Sequence, residues 1–363
     1  MRFNTMLKTI PALLLGATLA NAALAADVKL GLAAALTGPA AKYGVAIKNG
    51  FTMAADEINA QGGVNGNKLV LVAEDEQGKK EEAINVFKKL IFQDKVLMVF
   101  GPTLSNSAFA ADPIANASKV VVFGTSNTAD GITAMGPFTF RNSVMEADVL
   151  PVTVKAAVKH FNIKKVAVIY GNDDAFTKSG YDVFKATLEQ QKIPTTTTEA
   201  YAKGDVDFKA QLTKIKAGNP DAIVCSCLAE GLNSPKLFEI AKTAGDNTLM
   251  GSPWSAENMT PANKAFIAAY KAKFGTDPDQ FAAQAFDAMH VVADALKNVK
   301  LSGNLPKDRD ALRVALPAVK IEGATGKFAF RPAPAVAGKQ VGFDAQQEAI
   351  VNIAKNGKFV LLK

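Results

Sequence analysis

Two short segments concentrate hydroxyl side chains where backbone N–H groups can meet a ligand. Pro102-Thr103-Leu104-Ser105-Asn106-Ser107 follows the β-rich run ending at Gly101, and Thr125-Ser126-Asn127-Thr128 follows the run ending at Gly124. The first opens a helical stretch, whose N-terminus presents unpaired N–H groups and a partial positive charge. Ser hydroxyls and amides of this kind make charge-assisted hydrogen bonds to carboxylates, so capture of a small carboxylate is the chemistry these residues suit. The same Ser and Asn types also cap helices with no ligand present. Two such loops leaving neighbouring strands favour binding.

Nothing along the chain points to covalent chemistry. His160 and His290 lie in helical stretches without a Ser or Cys partner, and no phosphate loop, dinucleotide fingerprint or metal-spaced His cluster occurs. Neither an enzyme nor a bound cofactor is expected. Cys225 and Cys227 point to one face of a strand two residues apart. The strain of bridging such neighbours, and the lack of further soft ligands nearby, predict two small unpaired groups in a buried strand.

The elements that would position the two loops follow from periodicity. Short β-branched runs alternate with helical stretches, the pattern of parallel sheets covered by helices on both faces. Strands are expected over 28–34, 69–74, 96–101 and 120–125, with helices over 44–60, 80–93 and 106–117. A second series repeats this after Arg141: helix 150–160, strand 166–170, helix 179–191, strand 193–198, helix 207–217 and strand 221–228. Helices near 234–244, 261–274, 280–298 and 307–316 follow. Asn356-Gly357 signals a two-residue hairpin between strands 349–354 and 358–362. In such sheets ligands bind beyond the carboxyl ends of the strands, where both hydroxyl-rich loops lie.

Arg2 and Lys8, an apolar run over 10–20 and Ala23-Leu24-Ala25 read as a secretory signal cleaved after Ala25. The run is shorter than the ~20 residues a membrane helix needs. Without residues 1–25, which hold two basic residues and no acid, the net charge falls from +7 to +5. Lysines are spread along helices with Glu and Asp, as in Lys79-Lys80-Glu81-Glu82, which favours solvated helix faces over a nucleic-acid patch.

The chain resembles the periplasmic binding proteins for leucine, isoleucine and valine across nearly its whole length. The resemblance is carried by Ala35-Leu36-Thr37-Gly38-Pro39-Ala40 with Tyr43-Gly44, by Asp56-Glu57-Ile58-Asn59-Ala60-Gln61-Gly62-Gly63-Val64-Asn65-Gly66, by Gly101-Pro102 with Ser105, by Gly124 to Asn127, and by Phe140-Arg141. It implies an α/β fold of two doubly wound parallel-sheet lobes joined by a three-strand hinge, the type I periplasmic binding protein fold. Residues 26–145 with 252–333 would form the N-terminal lobe, and 146–251 with 334–363 the C-terminal lobe. The chain would cross near 142–146, 251–254 and 331–337.

The resemblance further implies a monomeric periplasmic protein that captures a small carboxylate, an amino acid of branched-chain type, and delivers it to the membrane permease of an ABC importer. Ser105 and Ser126 would grip the carboxylate, Gly124 and Thr125 would offer backbone groups, and Tyr43, Phe176 and Phe281 would form aromatic walls. Phe176 stands where relatives carry Tyr and lacks the hydroxyl. Just past Leu228 the chain departs from the family, by about one helix and one strand. Either Glu230 binds the ligand ammonium, or it only ends its strand. In the second case the ligand is an aromatic or aliphatic acid without an amine, with Tyr43, Phe176, Trp254 and Phe281 lining a slot. The same lobes also serve as sensor subunits, a role that sequence does not separate from transport. Removing the Ser105 and Ser126 hydroxyls is expected to abolish binding and leave the unliganded fold nearly unchanged.

Overall fold

A computed structural model describes residues 27–227 and 236–362. The expected signal segment and Glu230 lie outside these residues. The strands are β1 Val28–Ala34, β2 Leu69–Asp75, β3 Met98–Phe100, β4 Val121–Gly124, β5 Thr139–Arg141, β6 Val166–Gly171, β7 Thr195–Tyr201, β8 Ala222–Ser226, β9 Leu249–Ser252, β10 Lys320–Gly323, β11 Gly326–Pro332, β12 Phe343–Gln346, β13 Ile350–Lys355 and β14 Lys358–Leu361. The helices are α1 Ala41–Ala60, α2 Lys80–Lys88, α3 Ser105–Ala117, α4 Glu146–Phe161, α5 Ala175–Gln190, α6 Lys209–Ala217, α7 Lys236–Ala241, α8 Pro261–Phe274, α9 Gln280–Lys297 and α10 Leu305–Ala315.

The first sheet has eight strands in the order β10-β11-β12-β5-β4-β3-β1-β2. Its β2 to β12 portion is parallel, and β10 and β11 add an antiparallel edge. Both faces are buried, so its strands alternate between two cores. Leu30 and Leu32 of β1, Met98 and Phe100 of β3 and Val121 and Phe123 of β4 pack with Phe51 of α1 and Met289 of α9. The residues between them, Val99 and Val122, join Phe87 of α2 and Ala111 of α3 on the opposite side. This period of two within continuous apolar runs is what a doubly covered parallel sheet requires. A Cβ on Gly44 would collide with the Ala35 carbonyl, so glycine there lets α1 close on the end of β1 and fixes the adjacent Tyr43.

The remaining strands form two three-stranded sheets, β7-β6-β8 and β14-β13-β9. The hairpin between β13 and β14 is as expected, with Asn356 and Gly357 both at positive φ (50° and 76°), as a tight hairpin turn demands. Two expectations are corrected. β12 belongs to the first sheet, because Phe343 stacks on Phe140 at 5.1 Å and packs edge-on to Phe330. The chain therefore passes to the β9-β13-β14 sheet after β12, over 347–349, and not at 331–337. Cys225 and Cys227 are paired in a disulfide, their Cα atoms 5.4 Å apart, within the ordinary range for such bonds. β8 is an edge strand and both residues are half-buried, so the fully covered strand expected from sequence is not what holds them. Iodoacetamide should accordingly add nothing to the denatured, unreduced protein and modify both cysteines after reduction; labelling without reductant would contradict the pairing.

Candidate functional site

The loops after β3 and β4 meet at one end of a cavity of about 530 Å³. Ser105 and Ser126 both line it, with Thr103 and Thr128 beside them. Ser105 is the first residue of α3, yet its hydroxyl caps nothing: Oγ accepts the Thr128 and Ala129 N–H groups, at 3.2 Å each. A hydroxyl has one proton to donate and two lone pairs, so accepting these two bonds leaves its proton available to donate. The Ser126 hydroxyl donates to the Thr103 carbonyl at 2.7 Å. Each serine thus ties one loop to the other. The helix beneath already holds one carboxylate, which sequence reading passed over. Glu76, fully buried, accepts Thr103 N–H and Ser107 Oγ–H at 3.2 Å each, and burial raises its pKa.

The other expected residues divide. Tyr43 and Phe281 line the cavity, their rings 4.7 Å apart, and Phe176 lines it from the first turn of α5. Asp174 and Asp279, as N-caps of α5 and α9, fix Phe176 and Phe281 by accepting their N–H groups. Gly124 and Thr125 do not reach the cavity lining. The Gly124 carbonyl accepts Asn142 N–H at 3.1 Å, and Thr125 is buried. Trp254 sits in a core with Phe266, its indole N–H donating to Asn263 at 2.7 Å, and takes no part in an aromatic slot.

Sequence reasoning missed Glu146. As the first residue of α4 it lines the cavity, accepts the Thr128 hydroxyl on Oε1 and the Ser179 hydroxyl on Oε2 (3.4 Å), and has its pKa pushed up to about 7 by burial. The signal was an acid opening a helix at a crossing segment, which reads as ordinary favourable placement at a helix N-terminus. Behind the loops stands Arg141, wholly buried, with Nε 2.7 Å from Asp344 Oδ1 and an Nη donating to the Ala129 carbonyl at 2.9 Å. Asn106 donates to Asp174 at 2.7 Å and accepts Ala175 N–H at 3.0 Å, joining α3 to α5. Hydroxyl side chains of the two loops and the Glu146 carboxylate of α4 thus line one cavity.

The sequence model of periplasmic binding proteins matches residues 27–235 and 227–342. The chain belongs to that family. A Leu/Ile/Val-binding protein of Rhizobium johnstonii is 32% identical over 297 residues, 80% of each chain. A branched-chain amino acid transporter substrate-binding protein of Streptococcus pneumoniae, solved with isoleucine, superposes with a TM-score of 0.80 at 27% identity, covering 92% of this chain and 97% of that one. A solute-binding protein of an ABC transporter from Rhodopseudomonas palustris, solved with 3,4-dihydroxybenzoic acid, shares the fold at a TM-score of 0.79 and 23% identity, over 93% and 96%. The type I architecture of this periplasmic binding protein accordingly follows, as does its place among solute-binding proteins of ABC transporters.

Proposed function

We propose that this chain captures an amino acid of branched-chain type in the periplasm and hands it to the permease of an ABC importer, as a monomer freed from its signal segment by cleavage after Ala25. The observation that carries the reading is the presence of Ser105 and Glu146 in one cavity. The α3 N-terminus and the Ser105 hydroxyl suit a carboxylate, and Glu146 suits an ammonium. The relatives' printed ligands support the same class. Residues 27–145 with 253–346 would act as one lobe and 146–227 with 236–252 and 347–362 as the other. Closure would seal the ligand between them, with Asn106 bridging to α5 as a latch.

The aromatic pair Tyr43 and Phe281, and the dihydroxybenzoate-bound neighbour, favour a second reading, an aromatic acid without an amine. The two readings differ in sign. An ammonium needs Glu146 ionised, so leucine or isoleucine affinity should rise as pH increases from about 5 to 8, through the raised pKa. A benzoate should lose affinity over the same range as a second negative charge appears beside it. Glu146→Gln should flatten both profiles and cost the amino acid about 10- to 100-fold, the worth of one charged hydrogen bond. Titration calorimetry at several pH values with leucine, isoleucine and benzoate tests this, and no binding by any of them would remove the reading. The unliganded protein should itself lose stability as pH rises from about 4.5 to 7, because folding takes up a proton on Glu146 in that window.

A further inference from the structure

α9 is buried along most of its length, and Ala282, Ala283, Ala285 and Met289 are wholly enclosed. Gln284 breaks this apolar series. It is 3% exposed and lines the cavity, and its backbone carbonyl accepts the Asn142 side-chain N–H at 2.8 Å. Its side-chain amide makes no hydrogen bond with any described residue. Asn142 Oδ1 and Asn352 Oδ1 also lack partners, but those atoms are sealed from any space, whereas the Gln284 amide is not. The cavity is the space it borders. Gln280, one turn earlier on the same helix, also lines the cavity but is engaged, its Oε1 accepting the Ser252 hydroxyl at 2.7 Å. A buried amide without a partner is costly, and native structures pair such groups with protein, water or ligand. An apolar side chain of similar size would fill the same place without that cost.

We infer that Gln284 reads the side chain of the ligand, and that the preferred ligand is an amino acid of branched-chain size carrying a neutral hydroxyl or carboxamide. The inference rests on the proposed capture of an amino acid and narrows its class. Its geometry follows from the bonds around Thr128, whose N–H meets Ser105 Oγ at 3.2 Å and whose hydroxyl meets Glu146. Those two residues are the ones assigned to the carboxylate and the ammonium, so the ligand's side chain is what remains for the wall that α9 supplies. Phe281 belongs to that wall, with its ring 4.7 Å from Tyr43, and lies three residues before Gln284 on the same helix face. A carboxamide holds two donors and an acceptor. A ligand hydroxyl or amide pairs with it, and a methyl group in the same place leaves it unpaired. A ligand with an acidic side chain is excluded on charge: among the described residues no Lys, Arg or His lines the cavity, while Glu146, Asp174 and Asp246 do. A site built to pair a hydroxyl or amide rejects the isostere lacking it far more strongly than an apolar pocket rejects an added hydroxyl. One glutamine in an alanine-rich face therefore sets the direction of selectivity.

Two isosteric pairs test this by titration calorimetry on the full mature protein, threonine against valine and asparagine against leucine. In the parent, the polar member of at least one pair should bind at least about 10-fold more tightly than its apolar partner. Gln284→Met keeps the length and removes the amide. It should cancel the preference, lowering affinity for the polar member by about 10-fold or more and leaving the apolar member unchanged or tighter. Equal weakening of both members is what a merely structural role would give, and it overturns the inference. Urea denaturation of the empty variant should show stability equal to or above the parent's, because an unpaired buried amide has gone; a clear loss would show the amide bonded without ligand and overturn it too. Should Gln284→Met misfold, Gln284→Leu replaces it, and the parent's own preference decides in either case. Valine and leucine bound as tightly as threonine and asparagine would show that water serves the amide, which overturns this inference and leaves amino-acid capture standing. Binding by none of the four removes both.

Discussion

Ser105→Ala is expected to weaken carboxylate binding by about 10- to 100-fold and, separately, to lower the unfolding free energy of the empty protein by about 1–3 kcal/mol. The first effect is the loss of a hydrogen bond to a charged group, the second the loss of a buried acceptor. The side chain is buried and its Oγ receives the N–H groups of Thr128 and Ala129, so alanine strands two donors from the neighbouring loop. This revises the sequence-based expectation that the unliganded melt would hardly change. Urea denaturation measures the stability term and titration calorimetry the binding term. Full affinity in Ser105→Ala would show that the carboxylate is held elsewhere. Unchanged stability would show that the loop finds water as readily as serine.

Asp344→Ala should be the more damaging to the fold, by about 3–5 kcal/mol, because it leaves the Arg141 guanidinium buried without its counter-charge. Both side chains are shielded from solvent and 2.7 Å apart, and Asp344 also accepts the Thr133 hydroxyl at 2.7 Å. Replacing both members, as Arg141→Leu with Asp344→Leu, should recover much of the loss, since buried pairs often exchange for apolar residues at little cost. Ligand affinity should not recover with it. The Arg141 Nη bond to the Ala129 carbonyl is gone in the double variant, and that bond steadies the loop that carries Thr128 opposite Glu146. Denaturation curves for the two single variants and the double variant check the first claim. A double variant with parental affinity would sink the second.

Both residues illustrate what could be read in advance. Arg141 stood out as part of a motif, but its partner lies about two hundred positions away on β12, a strand that sequence reading assigned to the other lobe. The apolar alternation in 343–346 is short and its register ambiguous; only the aromatic stack of Phe140 on Phe343 selects the sheet it joins. Glu146 shows the same limit from the electrostatic side. An acid in a first helical turn is unremarkable in sequence, and what sets it apart is burial opposite the Thr128 hydroxyl.

Local pattern alone determined the alternation of strands and helices, the hydroxyl-rich turns after β3 and β4 and the Asn356-Gly357 hairpin, because each depends on residues within a few positions of one another. Tertiary structure decided the rest. It brought Ser105 and Ser126 to one cavity with Tyr43, Phe176 and Phe281, and left Gly124, Thr125 and Trp254 outside it. It also paired Cys225 with Cys227. The physical reason is that burial, charge pairing and strand order arise between elements far apart in the chain, and their energies depend on distances that no local spacing encodes.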